Sequence, residues 1–246
     1  MNRKKIKNIQ RPSIGAYIKE PFRTIIERVK LNSFLKLHRS EKKGDGHPVM
    51  VIPGFMGNDR SVKSLTHFLK RNGYKAQTWG MGMNLGKFKD VDQLIKKIEK
   101  LHLETGQNIS LIGWSLGGVY ARELAKRKPG MIRQVITLCS PFNDMNAPNN
   151  AAWLFSLISG GAKTSNLDPE WVAKIAAPST VPTTALFSKT DGVVAWETCI
   201  EKVEDDVHQN IEVNTSHTGV IYSQEVWSII LDRLLFQKED WKKYSL

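Results

Sequence analysis

Cysteine is nearly absent from this 246-residue chain, with Cys139 and Cys199 the only two. That excludes a disulfide framework, leaves room for one bridge at most, and points to a reducing compartment such as the cytoplasm. Long apolar runs are missing too. No stretch approaches the ~20 residues that a bilayer-spanning helix needs. The start, "MNRKKIKNIQRPSIGAYIKEPF", has neither the continuous apolar segment of a secretory signal nor the serine content of a transit peptide. Acidic residues are scarce at one end. Residues 1–47 hold thirteen Lys and Arg against four Asp and Glu, so +9 of the formal net charge of +12 lies there, and the remaining residues carry +3. The basic excess therefore describes an arm rather than a face of the body. It lacks interleaved aromatics, so nucleic acid is not the expected partner. There is no internal repeat and no low-complexity tract.

What is present is a 41% hydrophobic chain, enough for one packed α/β domain with an insertion. Residues 48–246 form the expected body. The apolar run "VMVI" (49–52) ends in "PGFMG" and reads as a buried strand and a sharp loop. Strands are also expected at 74–79, 108–113, 133–138, 183–188 and 210–214, with helices at 60–71, 90–103 and 116–127 and a last one carrying Val226, Trp227, Ile230, Leu231, Leu234 and Leu235. Strands and helices alternating at this spacing predict an α/β fold with a mostly parallel central sheet flanked by helices. The alternation pauses at 142–182, a stretch with several Pro, Gly and Asn residues around "AAWLFSLISGG", which reads as a lid or cap insertion.

Before the body, Pro21 stands where a first helical turn would begin. Phe22, Ile25, Ile26 and Val29 follow at helical spacing, with Arg23, Arg28 and Lys30 between them. One reading is a helix packed on the domain by its apolar face. The other is a basic amphipathic helix on an anionic membrane surface, reached through residues 1–40. "SEKKGDGHP" (40–48) reads as a linker.

The chemistry is carried by "LIGWSLGGVY" (111–120). A Gly-x-Ser-x-Gly between a strand and a helix is a nucleophile elbow: Gly113 and Gly117 remove side chains that would clash in a tight turn, and Ser115 is lifted out. A hydroxyl needs a base, and the base needs an orienting carboxylate. Only His208 and His217 follow Ser115 in the chain. His208, in "EDDVHQN", reads as a surface residue before a strand. His217, in "VNTSHTGV", lies between the last strand and the last helix and is the better base. Asp191, in "TTALFSKTDGVV", follows a strand end, with Gly192 expected to help aim its side chain. Asp144 is the main rival, and Asp168 and Glu197 lack that strand-end placement. The developing oxyanion calls for converging backbone N–H groups. Those of Leu116 and Phe55 are expected, with Met56 as the fallback. Cys139, in "TLCSPF", reads as a packed small residue rather than a second nucleophile.

The stretch "VIPGFMGNDRSVKSLTHFLKRNGYKAQTWGMGMNLG", with "GWSLGG", "TDGVV" and "SHTGV", resembles the α/β-hydrolase superfamily, and more narrowly its lipase-like and esterase-like members, over residues 48–236. The resemblance implies carboxylic-ester hydrolysis through an acyl-enzyme, with no metal and no cofactor, on a small-molecule ester or lipid. Many relatives have His-Gly where this chain has Pro53-Gly54. The first strands of the usual eight-stranded sheet are not evident, and residues 1–40 match nothing in the family. Trp153, Leu154, Phe155, Leu157 and Ile158 either line an acyl pocket or form the lid's own core, and Met56 and Trp114 are further pocket candidates. An acyltransferase or thioesterase could use the same triad, and a ligand-binding module could use the fold without it.

Overall fold

The computed structural model describes residues 9–37, 44–87, 89–150 and 169–245. Trp153, Phe155 and Asp168, with residues 151–168 of the expected lid, lie outside the described residues.

Among the described residues six strands form one sheet: β1 (Pro48–Ile52), β2 (Lys75–Thr78), β3 (Ile109–Trp114), β4 (Ile132–Leu138), β5 (Thr183–Phe187) and β6 (His208–Glu212). Their spatial order is β2-β1-β3-β4-β5-β6, and every neighbouring pair is parallel. Such a sheet is covered on both faces, so its inner strands are apolar on both. Successive residues of β1 show this. Val49 and Val51 face one core, with Phe68, Trp227 and Ile230, while Met50 and Ile52 face the other, with Leu94, Ile98 and Leu124.

The first of those layers is built by α2 (Asp59–Arg71) and α6 (Gln224–Leu234), which meet where the rings of Phe68 and Trp227 lie 4.5 Å apart. The second is built by α3 (Asp90–Thr105) and α4 (Leu116–Arg127). A short α5 (Pro169–Ala176) falls within the expected insertion. Its end is tied to α4 by the buried Arg122, which pairs with Glu201 and donates to the carbonyl of Ala177 at 3.2 Å.

The chain enters the sheet at β1, one strand in from an edge, goes out to β2 at that edge, and returns to β3 on the other side of β1. The strand order therefore reverses between β1 and β3, and parallel sheets bind ligands outside the carboxyl ends of strands at such a point.

Ahead of the sheet runs α1 (Ile14–Leu37), 24 residues long. It begins seven residues before Pro21, with Ser13 Oγ accepting the Ala16 N–H at 3.1 Å as a cap. Pro21 is thus inside the helix and not at its start. The apolar face of α1 is not the face that docks. Ile14, Ile18, Phe22, Ile25, Ile26 and Val29 all point to solvent, Phe22 with 70% of its surface exposed. The docked face carries Glu20, Thr24, Glu27 and Leu31. Apolar periodicity located the helix but assigned it the wrong inner face. The expected linker ends in ordered structure: His47 is buried, and its ring packs edge-on to Tyr74.

Candidate active site

β3 passes into α4 through a single residue, Ser115, whose backbone sits at φ +52°. A side chain there is strained, and the strain is held by the surroundings. A Cβ at Gly113 would collide with the backbone of Gly117 and Gly118, and one at Gly117 with the carbonyl of Ile52 at the end of β1. The turn is pinned to the next strand by the Ser115 N–H, which donates to the carbonyl of Leu138 at 2.9 Å.

The loops after β5 and β6 bring two more side chains to this point. His217 Nε2 lies 3.1 Å from Ser115 Oγ, and His217 Nδ1 lies 2.6 Å from Asp191 Oδ2. With Nδ1 protonated, the ring donates to Asp191 and offers Nε2 as acceptor to the serine hydroxyl. Asp191 is fixed through its other oxygen, which accepts the N–H groups of Val193 (2.7 Å) and Val194 (2.9 Å). Burial of His217 opposes its charged form, but the Asp191 carboxylate and hydrogen bond, joined by the charge of Glu20, outweigh it and hold the imidazole pKa above its ordinary value. Trp114, expected as a pocket wall, uses its indole N–H to bond the carbonyl of His217 at 3.0 Å.

On the opposite side of Ser115 stands the loop after β1. A Cβ at Gly54 would be 3.0 Å from Ser115 Cβ, so the missing side chain is what lets the loop approach. Asn84, wholly buried in the "MGMNLG" segment, braces that loop. Its backbone carbonyl accepts the Met56 N–H at 2.8 Å, its own N–H donates to Gly57 O at 2.8 Å, and its side-chain amide donates to Pro53 O at 2.9 Å. The Met56 amide is thereby engaged, which removes it as the fallback donor. Its side chain remains partly exposed beside the half-buried Phe55. Leu116 opens α4, where the N–H groups have no partner within the helix.

The other sequence candidates do not join this group. Asp144 Oδ1 accepts the N–H of Asn146 at 3.0 Å, and Glu197 sits in a short 3-10 turn, Trp196–Cys199. His208 is not a surface residue. It opens β6, is only 4% exposed, and its ring contacts Asp205 Oδ1 at 2.8 Å and the Ser179 carbonyl at 2.9 Å. Its charged sequence neighbours concealed that a strand begins at the histidine itself. Cys139 and Cys199 are free and buried, and burial, reinforced by the charge of Asp191, pushes both thiols up, away from the reactive thiolate.

A second serine–histidine–aspartate chain exists at the other end of the sheet. His47 bridges Asp45 Oδ1 (2.5 Å) and Ser110 Oγ (2.8 Å). Ser110 has no exposed surface, so no substrate reaches it, and the cluster ties the entry to β1 to the middle of the sheet. Among the described residues no group of three or more His, Cys, Asp or Glu is placed to hold a metal ion.

Sequence reasoning missed the contacts of α1. Glu20, Arg23, Thr24 and Glu27 all reach the loops that carry Asp191 and His217. Their spacing of three and four was the available signal. Gly192 also has another role than aiming Asp191: a Cβ there would stand 2.6 Å from the backbone of Ala16 and Tyr17, so the glycine admits the helix.

No protein-family model matches the sequence, and no curated protein matches it either. Solved structures do resemble the fold. Aspergillus fumigatus lipase B aligns with a TM-score of 0.63 at 16% identity, over 83% of this chain and 56% of that one. The mature form of Bacillus licheniformis lipase BlEst2 aligns with 0.59 at 15% identity, over 81% and 95%. The Paleococcus ferrophilus monoacylglycerol lipase aligns with 0.57 at 16%, over 79% and 95%. The chain thus spans little more than half of the Aspergillus lipase and nearly the whole of the other two. The architecture is that of the α/β-hydrolase fold, in a six-stranded, all-parallel form.

Proposed function

We propose that this chain is a serine hydrolase that cleaves carboxylic esters of apolar or lipid-like substrates through an acyl-enzyme. The observation that carries the reading is the continuous hydrogen-bonded line from Ser115 Oγ through His217 to Asp191 Oδ2, at 3.1 and 2.6 Å, on a strained strand-to-helix turn. Ser115 Oγ attacks the ester carbonyl carbon as His217 Nε2 takes its proton. The carbonyl oxygen becomes an oxyanion, received by the N–H groups of Leu116 and Phe55. The intermediate collapses, the C–O bond breaks, and the alcohol leaves with the proton from His217. Water then repeats the sequence on the acyl-serine, releasing the carboxylic acid and restoring the hydroxyl. No cofactor enters these steps.

The lipases among the similar structures support an apolar ester, and the thioesterase domain from a curacin biosynthetic pathway, similar at 13% identity, keeps thioesters as the second reading. The test is Ser115→Ala against a series of p-nitrophenyl esters from acetate to palmitate and an acyl thioester of matched length. Loss of turnover on every substrate fits the proposal, and the ratio of ester to thioester turnover in the unmodified protein separates the two readings. Near-normal turnover by Ser115→Ala would sink both.

The same reading gives α1 a place. No described helix is long and apolar enough to cross a membrane. Six large apolar side chains of α1 nevertheless face outward, opposite its docked face, and Lys19, Arg23, Arg28 and Lys30 lie on the same helix. An outward apolar stripe on a basic helix suits the headgroup layer of an anionic bilayer, where each basic residue contributes about 1 kcal/mol. Cosedimentation with anionic but not neutral vesicles, weakened by salt, is the expected result.

A further inference from the structure

The structure assigns Glu20, on a helix that precedes the sheet, as a positioning residue for the catalytic triad: its carboxylate joins the loop of the acid to the loop of the base. This inference rests on the proposed roles of Ser115, His217 and Asp191.

The carboxylate is buried, with 4% of the residue exposed. One oxygen accepts two backbone N–H groups, that of Gly192 at 2.8 Å and that of His217 at 2.9 Å. The other accepts the N–H and hydroxyl of Thr218, at 3.1 and 3.2 Å. The first oxygen therefore holds together the peptide following the acid and the peptide of the base itself. Four donors around one buried carboxylate offset its desolvation, and charge-assisted bonds of this kind resist displacement. The neighbouring contacts run in the same direction. Arg23 donates to the carbonyl of Thr190, next to Asp191, at 2.5 Å. Glu27 accepts the Ser216 N–H at 3.0 Å and its hydroxyl at 2.9 Å. Gly192 has no side chain where α1 passes, and Gly219 has none where Glu27 enters. The two loops are shaped for this helix.

Two consequences follow for catalysis. The separation of Asp191 and His217 depends on a residue that touches neither side chain. A negative charge also stands beside the imidazolium that forms during attack. The charged groups around His217 are Asp191 from the loop after β5 and Glu20 from α1, with Arg23 one turn and Glu27 two turns further along the helix. The charge of Glu20, like that of Asp191, favours the protonated ring.

The experiment compares Glu20→Gln, Glu20→Asp, Glu27→Gln and Ser115→Ala in the full chain. Rates on soluble p-nitrophenyl butyrate are normalised to active sites titrated with a fluorophosphonate in the variants that keep Ser115, and to protein concentration in Ser115→Ala. Glu20→Gln keeps the shape and removes the charge. It is expected to lower kcat about tenfold or more at nearly constant KM, and to move the acid limb of kcat/KM to lower pH. Glu27→Gln is expected to lower Tm without moving that limb. Glu20→Asp keeps the charge on a shorter stem. It is expected to lower kcat with the limb in place, and it carries the test if Glu20→Gln does not fold. Wild-type kcat in Glu20→Asp, or a folded Glu20→Gln with unaltered kcat and limb, overturns the assignment. Activity surviving in Ser115→Ala would instead overturn the triad reading, so the two failures are distinguishable.

Discussion

The indole N–H of Trp114 donates to the backbone carbonyl of His217 at 3.0 Å, and their rings lie 6.2 Å apart. The residue that precedes the candidate nucleophile thus grips the peptide of its candidate base. Trp114→Phe keeps an aromatic ring and removes that bond. A loss of about 1 kcal/mol in stability is expected, lowering Tm by roughly 2–4 °C. Turnover should fall by about threefold to tenfold through the looser base. Calorimetry and kcat on a soluble ester check both, and an unchanged kcat would show that His217 is held without Trp114.

Backbone strain at Ser115 separates two inactive variants. Ser115→Ala keeps a Cβ at φ +52°, whereas Ser115→Gly relieves it. Positive-φ strain is on the order of 1–3 kcal/mol and the extra chain entropy of glycine about 0.5–1 kcal/mol. The glycine variant should therefore be the more stable of the two, by about 1 kcal/mol in urea unfolding. Both should lose about 10⁴-fold or more in turnover.

The two carboxylates that compete for the acid role are told apart by substitution. Asp191→Asn alters the partner of His217 Nδ1 and should cost about 10⁴-fold in kcat. Asp144→Asn alters a local turn bond to Asn146 and should leave acylation within about twofold. Pre-steady-state acylation rates decide it, and the reverse order would transfer the role to Asp144.

A raised imidazole pKa has a readable sign. The base must be neutral, so the acid limb of kcat/KM should lie above the pH at which free imidazole titrates. The same shift contributes stability that is complete below the unfolded pKa and fades as pH rises through the folded one. In the Ser115→Ala background, Tm followed from acid to alkaline pH should lose this contribution across the limb. His217→Gln should remove that part of the slope.

The elbow was legible because everything it needs is local. Gly113, Ser115 and Gly117 fall within five residues, flanked by an apolar strand and a helix. Asp191 and His217 were reachable through strand ends, because a parallel sheet gathers the loops after its strands along one edge, and through the Ser, Asp, His order that the family resemblance implies. The brace at Asn84 was not, since a buried asparagine in a glycine-rich loop looks like any turn residue. Nor was the docking of α1, where apolar spacing marked one face while the helix is held by the other, through Glu20 and Glu27. Polar docking of this kind depends on backbone donors presented by distant loops, and the spacing of Glu20, Arg23, Thr24 and Glu27 marks a shared helix face without naming those donors.

The bond from the His217 peptide to Glu20 spans 197 residues of sequence. During synthesis α1 leaves the ribosome well before the loops it clamps. At about 5–20 residues per second the carboxylate of Glu20 waits on the order of ten to forty seconds for its donors. Through that interval the outward apolar stripe and the polar clamp of α1 are both without the loops that will hold the helix. A nascent chain stalled before β6 therefore carries the serine elbow without a base.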